Sequence, residues 1–293
     1  MARMPNPDAH ARTQRMQAES EPSVEGVVLS EGDFERFRRF IHDRAGISLT
    51  PHKRQMVSSR LQRRLRHLGL RSFDAYLDHV AAPGQDLERQ HLVDLLTTNE
   101  TYFYREPAHF DFLLHSILPA YRGRPLRVWS AACSSGEEVY TLAMVLAEGL
   151  GLGDWQICGS DISASRVETA RRARYPLERG RRVPGAGRPK YCLKGVRTQA
   201  GNLLIDPRLT VRVKLGQHNL KQPLADGQTF DVVFLRNVLI YFDLPTKQLV
   251  IDAITRAIHP GGYLFISHVE SLHAIRTNLE MVRPAVFRQP PDR

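Results

Sequence analysis

From Leu126 onward the chain alternates short apolar runs with longer amphipathic stretches, and this rhythm limits the fold more than any other feature. Leu126–Trp129 reads as a strand and Glu137–Glu148 as a helix, and Trp155–Gly159 and Ala164–Ala173 repeat the pair. Phe230–Leu235, Pro245–Ile258 and Gly262–Ile266 continue as strand, helix and strand. Strands separated by helices predict an α/β fold, a parallel sheet covered on both faces. Between Tyr175 and about His218 the rhythm breaks into Gly, Pro and Arg with short apolar runs at Asn202–Ile205 and Leu209–Val213. That interval predicts a small antiparallel insertion at about 176–208, followed by the third core strand.

The section before Leu126 has no strand pattern. Residues 1–27 carry Pro5, Pro7 and Pro22 among polar residues without periodicity, and read as a disordered tail. Residues 28–97 read as an all-helical domain. Ser30-Glu31-Gly32-Asp33 starts a helix along which Phe34, Phe37, Phe40 and Ile41 recur. A second helix is expected from Thr50, as its cap, with Pro51 in the first turn, to about Gly69. Helical stretches follow at about Phe73–Val80 and Asp86–Leu96, and residues 98–125 form a linker and first helix ahead of the α/β domain at 126–293.

A net charge of +10 favours an anionic partner: nucleic acid, a membrane surface or an acidic protein. The three cysteines, Cys133, Cys158 and Cys192, lie too far apart for a zinc pattern, so free thiols and no metal are expected. The longest apolar runs, such as Val238–Phe242, are too short to cross a bilayer. Arg3, Arg12 and Arg15 precede no apolar core, so no secretory signal is read and a cytoplasmic location is expected.

Four segments fall at strand ends, where open α/β sheets bind ligands. The first strand runs into Ser130-Ala131-Ala132-Cys133-Ser134-Ser135-Gly136-Glu137-Glu138 and then a helix. Its small residues let a ligand approach the backbone, but it lacks the dinucleotide and P-loop glycine spacings. Glu137 suits a cationic ligand better than a pyrophosphate, although a carboxylate there also favours the helix dipole. Asp161, 24 residues on, suits the hydroxyls of an adenosine ribose, with Ser163 the cap of the next helix. Gln217-His218-Asn219-Leu220 lies where an adenine ring would sit, and Arg236-Asn237 with Tyr241 follows the fourth strand.

Thr97-Thr98-Asn99-Glu100-Thr101-Tyr102-Phe103-Tyr104-Arg105-Glu106 resembles the signature of the CheR family, the chemoreceptor glutamate methyltransferases. So do Ser134–Glu138, Arg236–Asp243 and Pro260–Ser271, in order, within a resemblance running from about Leu29 to about Phe287. The resemblance implies a Rossmann-like S-adenosylmethionine methyltransferase domain with a small β-subdomain, preceded by the helical domain. It implies S-adenosyl-L-methionine as cofactor, with S-adenosyl-L-homocysteine as product. Contacts would come from Asn99, Thr101 and Arg105, from Glu137 to the methionyl amino group, and from Asp161 to the ribose. Asn219, Leu220, Arg236 and Asn237 would surround the adenine and the back of the pocket, and Arg105 and Tyr241 would stand nearest the transferred methyl. In some relatives the insertion docks a short peptide tether at the receptor's C-terminus. Family members usually carry Gly-His-Ser-Glu-Ser where this chain has Ser267-His268-Val269-Glu270-Ser271.

Methylating a carboxylate already ionised at neutral pH needs no general base, which accords with the absence of a His/Asp or Cys/His pair; His268 is read as structural. On the second helix Val57, Leu61, Leu65 and Leu68 share one arc, with Lys53, Arg60, Arg63, Arg64 and His67 as an adjoining stripe. That stripe suits an acidic surface, and the resemblance implies the cytoplasmic helical domain of methyl-accepting chemoreceptors, with neither nucleic acid nor membrane insertion. Two other readings stay open. A nucleic-acid methyltransferase fits the charge but lacks the Asp/Asn-Pro-Pro-Tyr/Phe that usually follows the fourth strand. A non-catalytic cofactor-binding sensor would be expected to lose Arg105 or Tyr241, and both are present.

Overall fold

A computed structural model describes residues 27–185, 190–224 and 227–291. The tail read at 1–27 lies outside them except for its last residue. The chain divides into two compact units, one of residues up to Phe37 with Thr50–Gln85, the other of Arg38–Leu49 with Asp86–Arg293.

The first unit is helical. Helix α1 (Glu31–Ala45) starts where Ser30 Oγ accepts the Asp33 N–H at 3.0 Å. Helix α2 (Arg54–Leu68) buries Val57, Leu61 and Leu65, and α3 (Phe73–Ala81) buries Phe73, Tyr76, Leu77 and Val80. Phe37 closes this small core, 6.2 Å from the Phe73 ring and 6.3 Å from that of Tyr76. Each such apolar side chain removed from water contributes about 1.5–3 kcal/mol. Gly69, at φ 67°, ends α2, and Ser72 caps α3 by accepting the Ala75 N–H. The second helix departs from expectation at its start. Pro51–Lys53 form a 3-10 turn, so Lys53 precedes the α-helix, and Thr50 makes no capping hydrogen bond. Lys53 and Arg63 are exposed, while Arg60 and Arg64 are half-buried.

The second unit holds α4 (Asp86–Leu96), α5 (Pro107–Phe112) and a seven-stranded sheet. Its strands are β1 (Leu126–Ser130), β2 (Trp155–Asp161), β6 (Val213–Gln217), β7 (Phe230–Phe234), β8 (Ile258–Phe265), β9 (Glu280–Arg283) and β10 (Val286–Arg288). Their order is β6-β2-β1-β7-β8-β10-β9; the first five run parallel and β10 pairs antiparallel with both β8 and β9. Helices α6 (Glu137–Leu150), α7 (Ala164–Arg171), α8 (Pro207–Thr210) and α9 (Leu244–Arg256) connect the parallel strands. Val128, Ile157, Val232 and Phe265 are buried at the centre, as parallel strands covered on both faces require.

A separate three-stranded antiparallel sheet, β3 (Arg174–Pro176), β5 (Asn202–Ile205) and β4 (Cys192–Lys194) in that order, lies between α7 and α8. The pair β9 and β10 is absent from the sequence reading: β9 is exposed at all four positions and β10 has three residues, too few to show a period. None of the three cysteines forms a disulfide among the described residues. Among the described residues no helix is long and apolar enough to cross a membrane.

Candidate active site

Strand order places the site. The chain reverses direction across the sheet at β1, between β2 and β7, and the loops at the carboxyl ends of these strands open a crevice there. In it lies a pocket of about 900 Å³, counting the space at its mouth. Asn99, Thr101, Arg105, Asp161, Asn219, Leu220, Arg236, Asn237 and Tyr241 all line it. Glu137 does not.

The two adjacent glutamates of the first loop part company. Glu138 lines the pocket, accepts from Ser130 Oγ at 2.8 Å and pairs with Arg236 Nη1 at 3.1 Å. Burial raises its carboxyl above the usual range, with Arg236 pulling the other way. Glu137 is fully buried elsewhere, taking Ser135 Oγ at 2.7 Å and the guanidinium of Arg179. Helix α6 is buried on nearly every side, so its periodicity carries no sign of which glutamate faces the ligand. Glu137, expected to meet the ligand, thus lies off the pocket, and Glu138 is the one of the pair that lines it.

Asp161 ends β2 and is 7% exposed. It accepts the Ser134 N–H at 2.8 Å and the Ser163 N–H at 2.9 Å, which fixes the carboxylate at the pocket edge. Burial raises its pKa, and these two N–H donors partly offset that. Ser163 caps α7 by accepting the Arg166 N–H, so cap and pocket carboxylate are separate residues. Ser134, at φ 48°, turns the loop toward the linker and donates its hydroxyl to the Asn99 carbonyl at 3.1 Å.

The linker, residues 97–106, has no regular structure and is held from outside. The buried guanidinium of Arg236 donates to the Arg105 carbonyl and lies 3.4 Å from Glu106 Oε2. Glu106 also receives Ser267 Oγ at 2.6 Å and His268 at 2.9 Å. Burial pushes the Glu106 carboxyl up, but Ser267, Arg236 and His268 outweigh it and hold the group down at about 2. Arg105 Nη1 donates to the Glu100 carbonyl, and its guanidinium lies 5.5 Å from the Tyr102 ring centre. Burial raises the Tyr241 phenol above its ordinary value.

Glu270 is a structural residue whose part the sequence did not disclose. Its carboxylate accepts the backbone N–H groups of Ser267, Asn237, Val238 and Leu239, at 2.7 to 3.0 Å, and so fixes the loop carrying Arg236 and Asn237. A carboxylate accepting backbone donors looks in sequence like any polar loop residue.

Glu106, His109 and His268 have ligand atoms within 4.8 Å of one another. The two imidazoles stack at 4.5 Å with 9° between planes, so their in-plane lone pairs run side by side instead of converging on an ion. Arg236 beside Glu106 already neutralises the carboxylate. The cluster reads as a charge network that ties the linker to the loop after β8.

A switch-point crevice with one carboxylate at the end of the second strand and another at the start of the helix after the first strand defines an α/β domain of the nucleoside-binding class. The family described as CheR methyltransferase, SAM binding domain, matches residues 99–287, and the CheR methyltransferase all-alpha domain matches residues 32–97. The chemotaxis protein methyltransferase of Escherichia coli is 37% identical over 90% of this chain and 93% of its own. Chemotaxis protein methyltransferase 2 of Pseudomonas aeruginosa is 40% identical over 83% and 88% respectively, and the Salmonella typhimurium enzyme 38% over 84% and 85%. The chain belongs to the CheR methyltransferase family. The residues present fit its cofactor, S-adenosylmethionine: Glu138 offers negative charge to a cationic methionyl end, Asp161 can accept from vicinal hydroxyls, and Ile47, Leu220 and Val238 supply apolar wall for a ring.

Proposed function

We propose that this protein methylates glutamate side chains on the cytoplasmic helical domain of methyl-accepting chemoreceptors, forming glutamyl methyl esters and S-adenosyl-L-homocysteine in the cytoplasm. The cofactor supplies a methyl group on a positive sulfonium, the acceptor oxygen is negative, and both products are neutral. Such a transfer asks the protein for alignment and exclusion of water, not for a base. The observation that carries this reading is that Arg105 and Tyr241 line the same pocket as the carboxylates of Glu138 and Asp161.

In this reading Glu138, in place of Glu137, receives the methionyl amino group and Asp161 receives the ribose hydroxyls. Asn219 and Leu220 bound the adenine, Asn99 and Thr101 close the linker side, and Arg236 with Asn237 forms the back wall. Arg105 orients the acceptor carboxylate and the Tyr241 phenol donates along the same edge. The helical section to residue 97 is the receptor-docking domain, with Lys53, Arg60, Arg63 and Arg64 meeting acidic receptor helices.

The test is transfer of radiolabelled methyl to receptor cytoplasmic fragments, followed by mild alkali. Label released as methanol is expected. Cofactor binding by calorimetry with no transfer to any receptor would favour the sensor reading, and alkali-stable label on added nucleic acid would overturn the acceptor.

A further inference from the structure

The stretch that enters the small sheet also grips the cofactor site. β3 leads into a 3-10 turn, Leu177–Arg182, and side chains of this stretch reach both segments that wall the pocket. The Tyr175 hydroxyl donates to the Ser135 carbonyl at 2.8 Å. Arg179 pairs with Glu137, and the Arg182 guanidinium lies 3.8 Å from the centre of the Tyr102 ring, itself part of the pocket wall. The loop after β1 and the linker are thus held by one short turn.

The Glu137 side chain is 0% exposed, and an ionised carboxylate there needs a paired cation. Arg179, 44% exposed, supplies the charge from outside. The Glu137 carbonyl accepts from Thr141 Oγ1, which in turn accepts the Tyr104 N–H of the linker. Gly136 has no room for a side chain: at φ 93°, an added Cβ would stand 2.8 Å from the Ala170 Cβ and 2.9 Å from the Tyr175 hydroxyl. The ion pair is this loop's only charged tie to the insertion among the described residues.

We propose that Arg179 and Arg182 are positioning residues through which the insertion sets the affinity for S-adenosylmethionine. They hold the Ser134–Glu138 loop and Tyr102 in binding geometry without touching the ligand. The proposal rests on the cofactor site alone, so a wrong methyl acceptor would leave it standing.

Calorimetric titration of S-adenosylmethionine into the full chain tests it. Arg179→Ala should weaken Kd about tenfold, as loss of a charged hydrogen bond to the residue next to the pocket-lining Glu138 would. Arg179→Lys should recover most of that, and Arg182→Ala should cost about threefold. Arg181→Ala, the same charge change on an exposed neighbour, should stay within about twofold. Adding Glu137→Gln to Arg179→Ala removes the stranded charge and should restore part of the affinity, a non-additive result. In turnover the loss should fall on KM for the cofactor and spare kcat. A lowered melting temperature with unchanged Kd, strictly additive effects, or an equal loss in Arg181→Ala would overturn the proposal. If Arg179→Ala does not fold, the Lys variant and the double variant carry the same test.

Discussion

Arginine does opposite things in the two units. In the α/β unit Arg236 is buried, paired with Glu138 and bonded to the Arg105 carbonyl, so its charge serves the architecture of a pocket. On α2 and the turn before it, Arg63 and Lys53 are exposed, on a helix whose other face is Val57, Leu61 and Leu65. A strongly cationic composition therefore divides into charge that builds the pocket and charge left exposed at the surface. Net charge alone could not tell these apart.

The sharpest way to break that contrast is Arg236→Ala. Stranding the largely buried carboxylate of Glu138 and the partly buried one of Glu106 should cost about 3 kcal/mol in denaturant unfolding. Arg63→Ala should cost less than about 0.5 kcal/mol. Equal costs would mean the distinction is wrong. Next in size, Asp161→Ala should weaken cofactor binding about 10- to 100-fold by calorimetry, the loss of charged hydrogen bonds to two hydroxyls. Tyr241→Phe should lower kcat about tenfold while cofactor Kd moves less than about threefold, since one neutral donor is lost at the reacting edge. A change confined to Kd would reassign Tyr241 to cofactor binding.

Charge reversal at Arg60 and Arg63 attacks the other side of the comparison. Receptor kcat/KM should fall about tenfold, more at low salt than at high, with cofactor Kd unchanged. Parallel loss of both would show that the stripe belongs to the fold.

The smallest expected effect sharpens the contrast through pH. Burial, with Arg236 nearby, lowers the His109 pKa to about 3, so the folded protein keeps this ring neutral where the unfolded chain protonates it. Between the unfolded value near 6.5 and the folded value, the unfolded state binds the extra proton, so this contribution to stability falls as pH falls. From pH 7.5 to 5.5 the loss should be about 1 kcal/mol, and His109→Phe should remove that part of the slope. An unchanged slope would show that His109 is not its source.

The parallel strands were legible because their apolar runs are continuous, and Asp161, Asn219 and Arg236 because they stand at or follow strand ends, whereas Asn99, Thr101 and Arg105 on the linker came from the family resemblance alone. What escaped did so for physical reasons. Glu137 and Glu138 share a helix with no exposed face to set its phase. Glu270 acts by accepting four N–H groups from chain brought near only by folding. Thr50 has the residue type of a cap, but the 3-10 turn after it gives its hydroxyl no capping bond.

The central place of β1 has a consequence during synthesis. Val128 pairs with Val232, so one side of the strand waits for chain that leaves the ribosome ~100 residues later, about 5–20 s at ordinary translation rates. For that interval the strand presents an unpaired backbone edge beside the apolar side chains of Leu126 and Val128. A nascent chain stalled before β7 should be the species that chaperones hold and that aggregates when they are scarce.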